Sequence, residues 1–228
     1  MAARAGGAEA RHKVRYVSPM SDERLDARTR DKDRLPPGQL ATVKWPVLHY
    51  GNVPIVDLAT WRLKVFGEVE RPLEIGWEEL SSLPRKDVAC DIHCVTRWSR
   101  FDNTFSGVPV ALLLERAGVR SSATHALIHA APDFTTNLPL EDLNRPANLL
   151  ATHHDGKPLS EEHGGPVRLL VPHLYFWKSA KWVTGIELME GDLPGFWEQN
   201  GYHMRGDPWA EERFGRPDPV RMRRGPRK

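Results

Sequence analysis

Cys90-Asp91-Ile92-His93-Cys94-Val95-Thr96-Arg97-Trp98-Ser99 holds both cysteines of a 228-residue chain. A thiolate is the strongest soft metal ligand a protein offers, so any redox chemistry is expected at Cys94. A lone cysteine is also a common small core residue, and this stretch taken alone leaves a buried structural thiol as the commoner reading. Just upstream, residues 87–93 alternate apolar with polar and read as a strand that delivers Cys94 to its end, where side chains typically meet a ligand. Further out, residues 61–67 and 73–75 read as strands, and residues 77–84 as a short helix stopped by Pro84. Phe105-Ser106-Gly107-Val108-Pro109 has the composition of a turn, and residues 109–117 have helical spacing with Gly118 as the cap. Residues 126–130, 167–171 and 183–188 are three more strands, and residues 140–143 at most one helical turn. Strands and short helices interleave without regular βαβ spacing, which predicts an α+β domain around mixed sheets.

Composition bounds the possibilities. With 40% hydrophobic and 27% charged residues the chain is long enough to bury one good core. Eight tryptophans and 19 prolines favour short elements and shaped loops over a helix bundle. Residues 1–40 are rich in both charges and poor in apolar periodicity, so they read as a solvated arm; residues 41–215 form the domain and residues 216–228 a basic tail. A net charge of +2 gives no global case for binding nucleic acid, and the tail reads as solubilising. No apolar stretch approaches a membrane span, and the N-terminus shows neither a hydrophobic leader nor a twin-arginine pair. The expected compartment is the cytoplasm, where a C-x3-C pair is read as free thiols or ligands rather than a disulfide.

The second chemical stretch lies downstream. His163-Gly164-Gly165-Pro166-Val167-Arg168 is followed by a strand and by Tyr175-Phe176-Trp177-Lys178-Ser179-Ala180-Lys181-Trp182. Paired glycines permit close backbone approach, Arg and Lys offer charge-assisted bonds to a phosphate, and Ser offers a hydroxyl. The pattern suits an anionic cofactor but is neither a Rossmann fingerprint nor a P-loop, and His-Gly-Gly-Pro alone is as often a plain turn.

Taken together, Cys94-Val95-Thr96-Arg97-Trp98-Ser99, the block 163–168 and Lys178-Ser179-Ala180-Lys181-Trp182 resemble, in order and separation, the molybdopterin-binding domain of the sulfite oxidase family. Pro46-Val47-Leu48-His49 and Gly195-Phe196-Trp197 extend the likeness over roughly residues 45–215. It is strongest to stand-alone members, among them the catalytic subunit of a periplasmic methionine sulfoxide reductase and uncharacterised bacterial relatives. The resemblance implies a molybdenum-molybdopterin oxidoreductase that transfers an oxygen atom, with Cys94 as the protein ligand on the metal. It further implies pterin or phosphate contacts from His49, Asp133, His163, Arg168, Ser179, Ala180 and Lys181. Arg97 and Trp98, next to the thiolate, are the candidates for shaping the substrate pocket.

This chain departs from the sulfite-oxidising branch in having a single arginine, Arg97, after its cysteine, and Thr152 where that branch has an active-site tyrosine. A less cationic pocket is expected, suited to a small S-oxide or N-oxide more than to sulfite, with an unidentified electron-transfer partner. Sulfite oxidation is the alternative. A zinc site from Cys90, His93, Cys94 and one of His129, His153 or His154 is a further one, disfavoured because alternation sends His93 to the opposite face. A catalytically silent domain is the last. His153 and His154, beside Asp155-Gly156, read as surface-loop histidines.

Overall fold

In the computed structural model, residues 32–215 are described. The sequence's charged arm does not run free to residue 40. Arg34, in a short 3-10 turn, donates to Asp91, with Nε to Oδ2 at 2.8 Å. Strand β1 (Leu40–Ala41) then pairs in parallel with residues 98–99. Its short run lacks any apolar periodicity, and backbone bonding alone recruits it. The rest of the expected arm, and the whole basic tail, lie outside the described residues.

Alternation of apolar with polar residues builds many of the strands. In β2 (Arg62–Gly67), Leu63 and Val65 point inward and Arg62 and Lys64 outward, and β3 (Leu73–Gly76) returns antiparallel to it. Helix α1 (Trp77–Ser82) buries Leu80 and ends where Leu83 turns extended ahead of Pro84. Strand β4 (Lys86–His93) and the long β5 (Trp98–Pro109) form a hairpin, β5 running into α2 (Val110–Ala117), which Gly118 caps as expected. Then come β6 (His125–Ala130), β7 (Phe134–Pro139) and the single turn α3 (Leu140–Leu143). Strands β8 (Leu149–His154) and β9 (Lys157–Pro158) flank the Asp155-Gly156 turn, and β10 (Arg168–Leu170), β11 (Val183–Met189) and α4 (Phe196–Gln199) complete the order.

Two mixed sheets result. One runs β1-β5-β8-β10, with β4 on β5 and β9 on β8; the other runs β3-β2-β11-β6-β7, its β2 and β11 parallel. The expected turn at 105–109 is corrected: Phe105, Gly107 and Val108 are buried ladder residues paired with β8. Gly107 is there for contact rather than for turning, since a Cβ on it would lie 2.2 Å from the Leu150 carbonyl oxygen, beside a register shift in the ladder. The loop reading of His153 and His154 is corrected too. Both end strand β8, and the His154 ring packs 4.4 Å from Trp45 and 4.7 Å from Phe105. The first sheet is apolar on both faces: Leu150 and Leu169 enter the main core with β2, α2 and β11, whereas Leu149, Ala151 and Leu170 enter a second core with Ile92, Phe105 and Phe176.

Candidate functional site

Cys94 directly follows β4 and opens a three-residue hairpin loop. The Arg97 N–H donates to the Cys94 carbonyl at 3.0 Å, the Cys94 N–H donates to the Trp98 carbonyl at 2.8 Å, and Arg97 takes φ 72°. This is the hairpin geometry in which a helical turn is closed by one left-handed residue. It leaves the thiol buried at the base of a cavity of about 430 Å³, a size that suits a cofactor-like ligand. Burial pushes the thiol's pKa up, opposed by Thr96 side-chain and backbone hydrogen bonds and by the positive charges of Arg213 and Lys181. Thr96 Oγ1 stands 3.1 Å from the sulfur.

The turn between β10 and β11 supplies the cavity's polar wall, with Ser179, Ala180 and Lys181 lining it alongside Arg168. Arg168 is 1% exposed. It donates from Nη1 to the His163 carbonyl at 2.6 Å and from Nη2 to the Ser179 carbonyl at 2.8 Å, while its buried Nε has no partner. Lys181 Nζ donates to the Leu48 carbonyl at 2.8 Å and the Glu162 carbonyl at 2.5 Å. Among the described residues neither cation has a carboxylate within ion-pair distance. Burial holds Arg168 down to about 9; burial, then the Arg168 charge, hold Lys181 down to about 7. A buried and a half-buried cation, neither ion-paired to an acid among the described residues, make a site that gains stability when an anion arrives. The donor set therefore fits a phosphate-bearing cofactor whose other end presents a metal to sulfur.

Several expectations change at this level. Gly164, at φ 100°, is required because a Cβ would stand 2.9 Å from the Lys181 Cβ, and the Gly164 and Gly165 N–H groups are bonded to the Glu161 and Ser160 carbonyls. The paired glycines therefore seat Lys181 and do not face a ligand. His163 is not among the cavity-lining residues: its ring packs 4.1 Å from Trp45, and Nε2 lies 3.3 Å from the Trp45 carbonyl. Arg97 is exposed and also outside the lining, with its guanidinium lying beside Gly38. Thr152 is buried behind the wall, its Oγ1 accepting from Arg85 Nη2 at 2.7 Å. His49, Asp133 and Trp98 do line the cavity.

The zinc arrangement does not assemble. Among the described residues no group of three or more His, Cys, Asp or Glu side chains is placed to hold a metal. His93 bonds Ser99 Oγ at 2.8 Å and His129 bonds Glu187 at 2.8 Å.

The sequence reading missed the aromatic side of the cavity. Trp45, Trp177, Trp197 and Tyr202 all line it, and Tyr202 stacks on Trp197 at 4.9 Å and meets Trp177 edge-on at 5.1 Å. Tyr202 packs into the cluster that contains Cys94, and its hydroxyl has no hydrogen-bond partner among the described residues. Burial, then the Cys94 charge, raise its pKa. Trp177 and Trp197 stand in stretches quoted for the cofactor pattern and the family resemblance, but nothing in the sequence marked them, Trp45 or Tyr202 as cavity walls.

A family model described as the oxidoreductase molybdopterin binding domain matches residues 50–197. The uncharacterized oxidoreductase YuiH of Bacillus subtilis is 49% identical over 191 residues, covering 82% of this chain and 96% of that protein. The putative protein-methionine-sulfoxide reductase subunit YedZ1 of Azospira oryzae is 29% identical over 160 residues, 69% of this chain and 61% of that one. The protein-methionine-sulfoxide reductase catalytic subunit MsrP of Xanthomonas campestris is 30% identical over 151 residues, 59% of this chain and 47% of that one. The chain thus spans less than two thirds of the length of either of these last two. Among solved structures, the sulfane dehydrogenase SoxCD from Paracoccus pantotrophus superposes with a TM-score of 0.59 at 24% identity, over 63% of this chain and 42% of that chain, a likeness of fold.

Proposed function

The chain belongs to the oxidoreductase molybdopterin-binding domain family, and from that premise we propose that Cys94 is the thiolate ligand to molybdenum in an enzyme that reduces a small S-oxide or N-oxide. The observation that carries this is the sharing of one cavity by a buried thiol, the buried Arg168 and the half-buried Lys181, neither cation with a carboxylate at ion-pair distance among the described residues. When bound, the cofactor supplies two-electron redox chemistry with transfer of one oxygen atom.

The chain's own residues do the rest. Arg168 and Lys181 hold the cofactor phosphate by charge-assisted bonds, with Ser179 and Ala180 closing around it and His49 and Asp133 meeting the pterin. His163 serves indirectly, by bracing Trp45 and receiving Arg168 on its carbonyl. On the substrate side, Trp98, Trp197 and Tyr202 form an apolar wall, and the unpartnered Tyr202 hydroxyl donates to the oxide oxygen. Over the reaction the S–O or N–O bond breaks, the heteroatom keeps a lone pair, and the oxygen leaves as water after taking up two protons and two electrons. A one-electron carrier protein is the proposed source of those electrons.

Sulfite is the weaker substrate in this reading. A small dianion needs clustered arginines in a partly dry site, whereas Arg97 is turned outward and the two inner cations are committed to the phosphate. The names of two relatives, both protein-methionine-sulfoxide reductase subunits, agree with an S-oxide. The proposed domain begins near residue 32, since β1 and Gln39 belong to it. Both cysteines are free, in keeping with a reducing, cytoplasmic compartment. No helix among the described residues is long and apolar enough to cross a membrane.

Purification from a molybdate-supplied host, followed by metal and pterin quantification, is the test. About one molybdenum and one pterin per chain are expected, with viologen-driven turnover of dimethyl sulfoxide or trimethylamine N-oxide exceeding ferricyanide-coupled sulfite oxidation. Stoichiometric zinc without molybdenum would overturn the cofactor reading; sulfite oxidation without oxide reduction would overturn the substrate reading.

A further inference from the structure

The backbone of the Cys94 turn is gripped from behind by two side chains that lie outside the region matched by the family model. Arg213 Nη1 donates to the Val95 carbonyl at 2.8 Å and Nη2 to the Pro37 carbonyl at 3.0 Å. Gln39 Nε2 donates to the Cys94 carbonyl at 3.0 Å. Both side chains are 5% exposed, and the guanidinium lies 4.9 Å over the Tyr175 ring, which itself stacks on cavity-lining Trp177 at 5.3 Å. Among the described residues Arg213 has no carboxylate within ion-pair distance, and its buried Nε has no partner. A buried guanidinium is costly to keep without an acid beside it. Here it serves two backbone carbonyls, one of them, that of Val95, in the Cys94 turn.

The peptide of that turn joins Val95 to Thr96. Its carbonyl accepts from Arg213, and the side chain on its far end, Thr96, places Oγ1 3.1 Å from the Cys94 sulfur. A charged donor on the carbonyl oxygen fixes the orientation of the amide, and with it the position of the Thr96 side chain against the sulfur. We propose that Arg213, assisted by Gln39, is a positioning residue for Cys94: by fixing the Val95–Thr96 peptide it holds the Thr96 hydroxyl against the sulfur and sets the electron-donating power of the thiolate. The inference rests on the reading of Cys94 as the metal's ligand. Hydrogen bonds and positive charge beside a ligating sulfur stabilise the more electron-rich state of a redox centre. Losing Arg213 therefore shifts the centre's midpoint potential to more negative values.

Arg213→Met, Arg213→Lys, Gln39→Leu and Cys94→Ser holoenzymes would be compared with wild type for molybdenum and pterin content, thermal unfolding, visible absorption, the Mo(V) electron paramagnetic resonance signal and midpoint potential. The expected result for Arg213→Met is near-wild-type pterin content with an altered Mo(V) signal and a more negative potential. Arg213→Lys should recover most of both, and Gln39→Leu, which keeps the guanidinium, should shift them less. A fully loaded Arg213→Met protein with unchanged signal and potential overturns the proposal. So does joint loss of pterin, molybdenum and thermal stability in both Arg213 variants, which would make the residue a structural prop. Cys94→Ser separates the two readings: if it leaves the metal's absorption unchanged, the ligation reading fails whatever Arg213 does.

Discussion

Arg168 and Lys181 are the residues on which cofactor retention should turn, because both line the cavity and neither is ion-paired to an acid among the described residues. Arg168→Ala or Lys181→Ala removes a charge-assisted contact worth on the order of 1.5–3 kcal/mol, so pterin affinity should fall roughly ten- to hundred-fold. Release of pterin from denatured, desalted protein measures it. Arg97→Ala should leave pterin content and oxide turnover within about two-fold of wild type, since that side chain is exposed and outside the cavity; a ten-fold loss would return Arg97 to the site. At this scale the sequence was legible in picking out Cys94, Arg168 and Lys181, which the fold brings to one cavity. It misleads at Arg97, where adjacency to the cysteine suggests proximity to the pocket and the guanidinium lies instead beside Gly38. Tyr202, Gln39 and Arg213 gave no signal because their contacts, such as Arg213 with Val95, close across long stretches of the chain.

Among the elements, alternating strands and the apolar run at 167–171 were readable, whereas the doubly buried β8 was not. Residues 62–67 alternate cleanly, but Leu149-Leu150-Ala151 in β8 sends neighbours into two different cores and so shows no period of two. The turn-like composition of 105–109 misled for a related reason, since Gly107 serves close strand approach. Gly107→Ala should cost about 1–3 kcal/mol in urea unfolding, the cost of forcing a methyl against the β8 backbone. His154, at the end of β8, gives the element a pH dependence. Burial, opposed by Asp155 and aided by Arg100, holds its pKa at about 4, below the usual histidine value. The folded state thus keeps it neutral where the unfolded chain would protonate, so stability is complete above about pH 6.5 and declines as pH falls toward about 4. Urea midpoints at a series of pH values should show this fall, and His154→Gln should flatten it by roughly 1–3 kcal/mol. His153, His163 and His173 are depressed as well, so flattening will be partial.

Across the molecule, the cavity's aromatic wall is held to the second sheet by one fully buried ion pair. Lys178 Nζ lies 2.7 Å from Glu198 Oε1, with both side chains 0% exposed. Lys178 also donates to the Asn137 carbonyl and side chain and to the Met204 carbonyl, while the same Glu198 oxygen accepts from Trp177 Nε1 at 2.8 Å and Thr136 Oγ1 at 3.2 Å. Strand β7, the 176–178 turn, α4 and the 203–206 loop therefore meet at a single pair of charges. Removing one partner strands the other in a dry interior, so Glu198→Ala or Lys178→Met should each destabilise by about 3–5 kcal/mol. Replacing both, as Lys178→Met with Glu198→Leu, removes the stranded charge and should recover part of that loss, although the Trp177 N–H then lacks its acceptor. Equilibrium unfolding of the two single variants and the double completes the cycle. A double variant as unstable as the sum of the singles would mean that the two charges act independently. Recovery accompanied by weaker oxide turnover would mean that the pair holds Trp177 and Trp197 in the shape the cavity needs, more than it holds the fold together.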